Sequence, residues 1–241
     1  MSFSGNSLLA SLSQADIVAL QPHMSTFRFE HKRVLYEQGD RINAVYFPVS
    51  AVVSIVVSLS TGETIEAAML GKDGVVGAAA ALNGGISLSR AIVQMEGEGF
   101  VCECSALKGA AMQSHTLLSR LLLHEQTVYV QAQQSIACIS AHHVEPRLCR
   151  WLLRARDLAG TDKLKFTQEF LAEMLGVRRT SVTLVANALQ RAGMIKYSRG
   201  NVQILDVEAL RDTACECYET VKSTYSDLMN DGTAYVQPMP S

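Results

Sequence analysis

Arg178 and Arg179, followed at once by Thr180 and Ser181, set two guanidinium forks and two hydroxyls at the entrance to an amphipathic segment. That set suits nucleic acid. A guanidinium matches the paired acceptors on a guanine edge, and hydroxyls donate to bases or phosphates. In the same segment Val182, Val185, Ala186 and Leu189 recur at three- and four-residue spacing, an apolar stripe that must face a core. Arg179, Thr180, Thr183 and Asn187 are left on the opposite face. The two arginines alone would also suit a solvated surface helix, so the neighbouring elements carry much of the argument.

Those elements position the arginines. Thr167 is placed to cap a preceding helix, with Gln168 and Glu169 in its first turn and Leu171, Met174 and Leu175 as its buried stripe. Gly176 stands where that helix must stop and the chain reverse, a position that calls for a left-handed conformation. Two short helices about a glycine turn read as a helix-turn-helix, whose second helix docks in a DNA groove. After Gly193, residues 194–204 alternate and turn at Arg199-Gly200-Asn201, a β-hairpin wing with a basic tip. The expected DNA-contact set is therefore Gln168, Arg178, Arg179, Thr180, Ser181, Thr183 and Arg199.

The 241 residues suit two modest domains, and 48% hydrophobic composition can fill a core in each. A net charge of −2 would argue against a nucleic-acid partner if it were uniform, but it is not. Residues 145–210 carry 11 Lys plus Arg against 7 Asp plus Glu, a net +4, and the remainder carries −6. No apolar run reaches the ~20 residues that cross a bilayer, and the N-terminus shows no basic segment followed by an apolar one, so no membrane partner and a cytoplasmic location are expected. The six cysteines, at 102, 104, 138, 149, 215 and 217, contain no CxxC pair, which argues against a disulfide scaffold or a metal site. Cys102 and Cys104, two apart in a strand-like run, are expected to pack on one buried face.

Further along the chain, one amphipathic helix is expected over residues 6–20. Short alternating segments follow at 26–29, 33–36, 44–47, 51–59, 64–70, 90–95 and 100–104, separated by turns such as Gly39-Asp40 and Asn83-Gly84-Gly85. Such a series reads as a β-barrel or jelly roll, interrupted by a small helix over 78–82. Residues 115–141 form one long helix with an apolar seam of Leu117, Leu118, Leu121, Leu122, Val128, Ala132, Ile136 and Ile139. A stripe this wide needs both the barrel and a partner helix, and the expected partner is a second copy of the chain. Residues 140–144 act as a hinge before Pro146 opens the next helix. The class is thus α+β, with an effector-sensing β-barrel over 1–113, a dimerisation helix and hinge over 114–144, a winged helix-turn-helix over 145–225, and a tail over 226–241.

This order of parts resembles the Crp/Fnr family of bacterial transcription regulators over nearly the whole chain. The residues carrying the resemblance are VLYEQGD at 34–40, VYFP at 45–48, Gly62, residues 71–77, PRLCRWL at 146–152 and residues 167–182. The resemblance implies a cyclic-nucleotide-binding-like barrel. It also implies a homodimer on a near-palindromic DNA site, with RNA polymerase and an unidentified small-molecule effector as further partners. By the same resemblance Arg179 falls on a base-reading position and Thr180 on the next, with Arg178 and Ser181 on phosphate-contacting ones. Leu184 replaces a second base-reading arginine of the cyclic-AMP receptors, so the operator is expected to differ from theirs.

The effector pocket implied by the family falls on Gly77, Ala78, Ser89, Arg90 and Gln133. Cyclic-nucleotide receptors place a glutamate where Ala78 stands and an arginine where Ser89 stands, and Arg90, one residue later on a strand, points to the other face. Cyclic AMP is therefore not the expected ligand, whereas Gly77 and Ser89 suit a smaller anion. The N-terminal cysteine cluster of the iron–sulfur relatives is absent, and His23, His31, His115 and His124 have no haem-ligand spacing, so no cofactor is expected.

Enzyme motifs fail on residues their chemistry needs. Gly71-Lys72 is followed by Asp73 and lacks the upstream glycine of a phosphate-binding loop, and His124-Glu125 lacks the second zinc histidine. There is no GxSxG nucleophile elbow, and no catalytic residue is expected. The alternative to a DNA-binding regulator is a cyclic-nucleotide-binding signalling module whose helix-turn-helix serves protein contacts.

Overall fold

The computed structural model describes residues 3–198 and 200–230. The chain opens with α1 (Ser7–Ala10) and α2 (Gln14–Leu20) where one helix was expected over residues 6–20. The break lies in the serines. Ser11 donates its hydroxyl to the Leu8 carbonyl at 2.8 Å, and Ser13 accepts from the Asp16 amide at 3.2 Å, so each helix is closed or opened by its own side chain.

The barrel follows, from β1 (Met24–Phe29), β2 (Val34–Tyr36), β3 (Ala44–Pro48), β4 (Val52–Ser58), β5 (Thr64–Leu70), the helix α3 (Ala78–Asn83), β6 (Arg90–Met95) and β7 (Gly97–Glu103). They pair antiparallel as two sheets, β1-β7-β3 and β2-β6-β4-β5. Phe29, Phe47, Val53 and Phe100 fill the space between them. The last strand, expected over 100–104, stops at Glu103 because Cys104 begins α4 (Cys104–Gln113), which seats Leu107 and Ala111 one turn apart in the core. Cys102 and Cys104 are both buried, but on a strand and a helix rather than on one strand face.

Helix α5 (His115–Ala141) has Ser114 as its cap, the hydroxyl accepting from the Leu117 amide at 3.2 Å. Leu117 and Leu121 are buried against the barrel, whereas Leu122, Tyr129 and Ile136, seven residues apart, are 53%, 65% and 68% exposed. These three residues form a seven-residue apolar repeat on the outer side of the 27-residue helix, the spacing a coiled coil requires. After His142 and His143 come α6 (Val144–Ala159), β8 (Lys163–Leu164), α7 (Gln168–Leu175), α8 (Arg179–Arg191), β9 (Ile195–Ser198), β10 (Asn201–Ile204), α9 (Val207–Thr213) and α10 (Cys217–Asn230). Helix α10 turns back to pack on α5. Arg120 donates to the Met229 carbonyl, Tyr225 donates to the Asp73 carbonyl, and Met229 joins the barrel core. A boundary after residue 225 would therefore cut inside this helix. Residues 231–241, most of the tail expected over 226–241, lie outside the described residues.

The two lobes share a core. Strand β4 reads VVSIVVS because both its faces are covered: Val53 turns into the barrel, while Val52 and Val56, with Met69 of β5, pack among Trp151, Leu152 and Leu175. Beside them Trp151 Nε1 donates to Glu66 Oε1 at 2.8 Å, Ser54 donates to the other oxygen, and Arg154 pairs with Asp73 at 2.6 Å. Burial pushes the Glu66 carboxyl up to about 7, against the opposing pull of the Ser54 and Trp151 hydrogen bonds and the Arg150 and Arg154 charges.

A carboxyl whose folded pKa is raised binds its proton more tightly when folded. Its stabilisation is complete below the ordinary value near 4.5 and is lost as pH rises toward 7. Glu66→Gln keeps an acceptor oxygen for Trp151 and has no charge to bury. At pH 8 the variant is expected to gain up to ~3 kcal/mol, several degrees in Tm, and at pH 4 to match the parent. Calorimetry across this range checks it; equal melting shifts at both pH values would contradict the account.

Candidate nucleic-acid interface

The helix-turn-helix is built from local rules. Thr167 accepts from the Phe170 amide at 3.1 Å and opens α7, whose Leu171, Met174 and Leu175 are buried. Gly176 ends the helix at φ 61°, ψ 43°, and a Cβ there would also lie 3.4 Å from Ile65 of the barrel. The Arg147 guanidinium donates to the Leu175 carbonyl, an orphan acceptor at that helix end. Under both helices Trp151, Phe166 and Phe170 pack with ring centroids 4.7 to 5.8 Å apart.

Helix α8 buries Val182, Ala186 and Leu189 and leaves Arg179, Thr180, Leu184 and Asn187 exposed. Arg178 is the capping residue, in extended conformation, and no side chain caps this end. The Ser181 amide donates to the Arg178 carbonyl at 3.0 Å, which leaves the Arg179 and Thr180 amides without an intrahelical acceptor, and the positive end of the helix dipole points the same way. Two arginines beside that end oppose the dipole rather than complement it. Among the described residues neither makes a salt bridge, so both guanidinium groups are left to meet an external anion.

The flanking residues are organised around this end. Thr183 donates to Gln168 Oε1 at 2.7 Å, which brings the side chains from α7 and α8 together. The wing is a three-stranded sheet, β8-β10-β9, with β8 an addition that the alternation pattern did not reveal. Gln190 accepts from the Tyr197 amide at 2.8 Å and fixes the wing to α8, and a Cβ on Gly200 would lie 3.3 Å from Thr167. Burial raises the Tyr197 hydroxyl, with the Arg179 charge pulling the other way. Thr183 and Gln168 thus meet on one side of this helix end, Arg178, Arg179 and Thr180 are exposed around it, and Ser181 turns toward the barrel, while Arg199 lies outside the described residues. Arg178, Arg179 and Ser181 also border a groove against the barrel, where Glu63, Glu169 and Glu173 supply negative charge.

The expected effector residues do not all converge. A cavity of about 110 Å³ inside the barrel is lined by Gly77 and Ser89, with Tyr36, Ser87, Leu88 and Glu125. Its volume is below the ~300 Å³ at which drug-sized ligand sites begin. Ala78 is fully buried in the barrel core and does not line it. Arg90 turns to Glu37 at 3.1 Å, the opposite strand face, and Gln133 is exposed on α5, two residues and so about 200° around the helix from buried Gln131. Arg90 is turned away and Glu125 stands on the wall, so among the described residues no Lys, Arg or His lines the cavity that Gly77 and Ser89 suggested for a small anion. His124, exposed to no more than 1%, is a core residue whose Nε2 accepts from the Val75 amide at 3.2 Å.

One grouping contradicts the reading from spacing. Cys138, His142, Cys215 and Cys217 lie within 4.8 Å of one another through their ligand atoms, although no CxxC pair signalled them. The fold of α10 onto α5 brings them together across 77 residues of chain.

Comparison with known proteins agrees with this architecture. Residues 26–113 match the cyclic nucleotide-binding domain, and residues 146–213 match the Crp-like helix-turn-helix domain. A barrel of that type joined to that reader defines a two-domain transcription regulator. The chain belongs to the Crp/Fnr family. Solved structures share the fold at low identity. A regulator assigned to the Crp/Fnr family from Eubacterium rectale has a TM-score of 0.66 at 20% identity, covering 87% of this chain and 98% of its own. FixK2 from Bradyrhizobium japonicum gives 0.67 at 17%, with 80% and 98% covered. A CRP-family regulator from Thermus thermophilus gives 0.66 at 23%, with 78% and 96% covered. No curated protein matches the chain significantly in sequence.

Proposed function

We propose that the protein is a cytoplasmic, dimeric, sequence-specific DNA-binding regulator and not an enzyme. One observation carries this reading: the uncapped, positively polarised end of α8 bears Arg178 and Arg179, and neither is held in a salt bridge among the described residues. Arg179 and Thr180 read base edges, and Arg178, Ser181 and the wing hold phosphates, with Gln168 and Thr183 steadying that set. Two copies joined along α5 present two α8 helices to half-sites about one helical turn, ~34 Å, apart on a near-palindromic operator.

The barrel serves as a switch. Its β4–β5 turn borders the groove at the basic end of α8, so a change in how α5 packs on the barrel alters what α8 presents. RNA polymerase is the further partner of such a regulator, and the effector is a ligand or protein other than cyclic AMP. A gel shift with random-sequence selection tests the proposal. Binding must be sequence-selective and must weaken steeply with salt, as counterion release requires. Selective binding to a protein partner with no DNA retention would instead favour a signalling module whose helix-turn-helix serves protein contacts.

A further inference from the structure

Cys138 closes the last turn of α5, His142 follows one turn later at the start of the hinge, and Cys215 and Cys217 flank the entry to α10. Cys138 Sγ lies 3.5 Å from Cys215 Sγ, and Cys217 Sγ lies 3.6 Å from His142 Nδ1. A disulfide holds its sulfurs at about 2.05 Å, so these thiols are unbonded. A tetrahedral zinc ion with ~2.3 Å bonds to sulfur and ~2.0 Å bonds to nitrogen sets its ligand atoms about 3.5 to 3.8 Å apart. The Cys138–Cys215 and Cys217–His142 edges match that spacing, and the remaining pairs, all within 4.8 Å, need to close by no more than about 1 Å around an ion.

The surroundings match as well. His142 turns Nδ1 toward the thiols and Nε2 toward Glu216 Oε1 at 3.1 Å, the carboxylate–histidine arrangement that fixes a ligating imidazole. Gln134 Nε2 donates to Cys217 Sγ at 3.1 Å. All three cysteines are buried, and the Arg147 and Arg150 charges act on Cys138, which offsets the net negative charge of three thiolates around a divalent ion. Four protein ligands leave no open position for water or substrate, which is the pattern of a structural rather than a catalytic ion.

We infer that Cys138, His142, Cys215 and Cys217 form a tetrahedral site for a thiophilic divalent cation of the zinc type, which clamps the hinge between α5 and α6 to the start of α10. The ion ties the dimerisation helix, the linker and the last helix of the DNA-binding lobe at one point. Its occupancy then fixes the angle at which α6 carries the reader away from α5. This inference uses only the four ligands and their neighbours, and it stands apart from the assignment of the DNA-contacting residues.

The test is a titration of the reduced, chelator-treated full chain with Co²⁺, followed by displacement with Zn²⁺. The expected result is one equivalent per chain, with the intense visible bands of tetrahedral cobalt and thiolate-to-cobalt charge transfer, and a raised Tm with slower hydrogen exchange over residues 138–145. Glu216→Gln, an exposed change beside His142, is expected to weaken binding 10- to 100-fold with the fold intact. Cys217→Ser is expected to abolish the charge-transfer signature at one equivalent, while Cys104→Ser in the barrel leaves it unchanged. A reduced wild-type chain that takes up no cobalt, or binds it without thiolate bands, would overturn the site. So would a Cys104→Ser effect equal to that of Cys217→Ser.

Discussion

The double substitution Tyr129→Glu with Ile136→Glu is expected to leave a well-folded monomer. Both side chains are more than 60% exposed on the outer side of α5, in line with Leu122 one heptad earlier, so the barrel loses little when they change. In a two-fold dimer each substitution counts twice, and burial of each apolar side chain contributes about 1.5–3 kcal/mol. Four lost side chains come to at least ~6 kcal/mol, or about 10⁴-fold in the dimer dissociation constant, before the repulsion of facing glutamates is added. Sedimentation equilibrium reads the mass, and thermal melting reads the fold. Operator affinity should fall with dimerisation, because a single α8 reads only half of a palindrome. A variant that stays dimeric at micromolar concentration would show that the copies meet elsewhere.

For Arg179→Ala the expected loss is about 1–3 kcal/mol on the preferred operator, between 5- and 150-fold, together with relaxed preference at one base pair per half-site. Arg178→Ala should behave differently. A phosphate contact carries no sequence information, so affinity falls evenly across sequences and the slope of log K against log salt drops by about 0.9 per contact removed. Measuring both variants against a library of operator sequences at two salt concentrations separates the roles. If Arg179→Ala matches the parent in both affinity and preference, Arg179 does not read bases.

Local regularities made much of the fold legible. The three- and four-residue spacing of Val182, Ala186 and Leu189 placed Arg179 and Thr180 on the outer face of α8, and they are exposed there. Gly176 marked the turn because a left-handed backbone favours glycine, and its φ is 61°. The bounds of β5, β6 and α5 follow from alternation and helical periodicity alone. Helix α4 was hidden, since Cys102 and Cys104 continue an alternating strand pattern into the first helical residue. The break between α1 and α2 was hidden by an amphipathic pattern that runs through it.

The amino-acid sequence determined which segments are helix or strand and which face of each is apolar, because those properties follow from backbone geometry over a few residues. Only the tertiary structure decided which distant faces meet. It turned Arg90 to Glu37 and Gln133 outward, so two expected effector residues leave the cavity. It covered both sides of β4 by seating Val52 and Val56 against α6, where periodicity gives no direction. It folded α10 back along α5 and so joined Cys138 and His142 to Cys215 and Cys217. Such meetings depend on the path of the whole chain between the residues, and no spacing within a single element records that path.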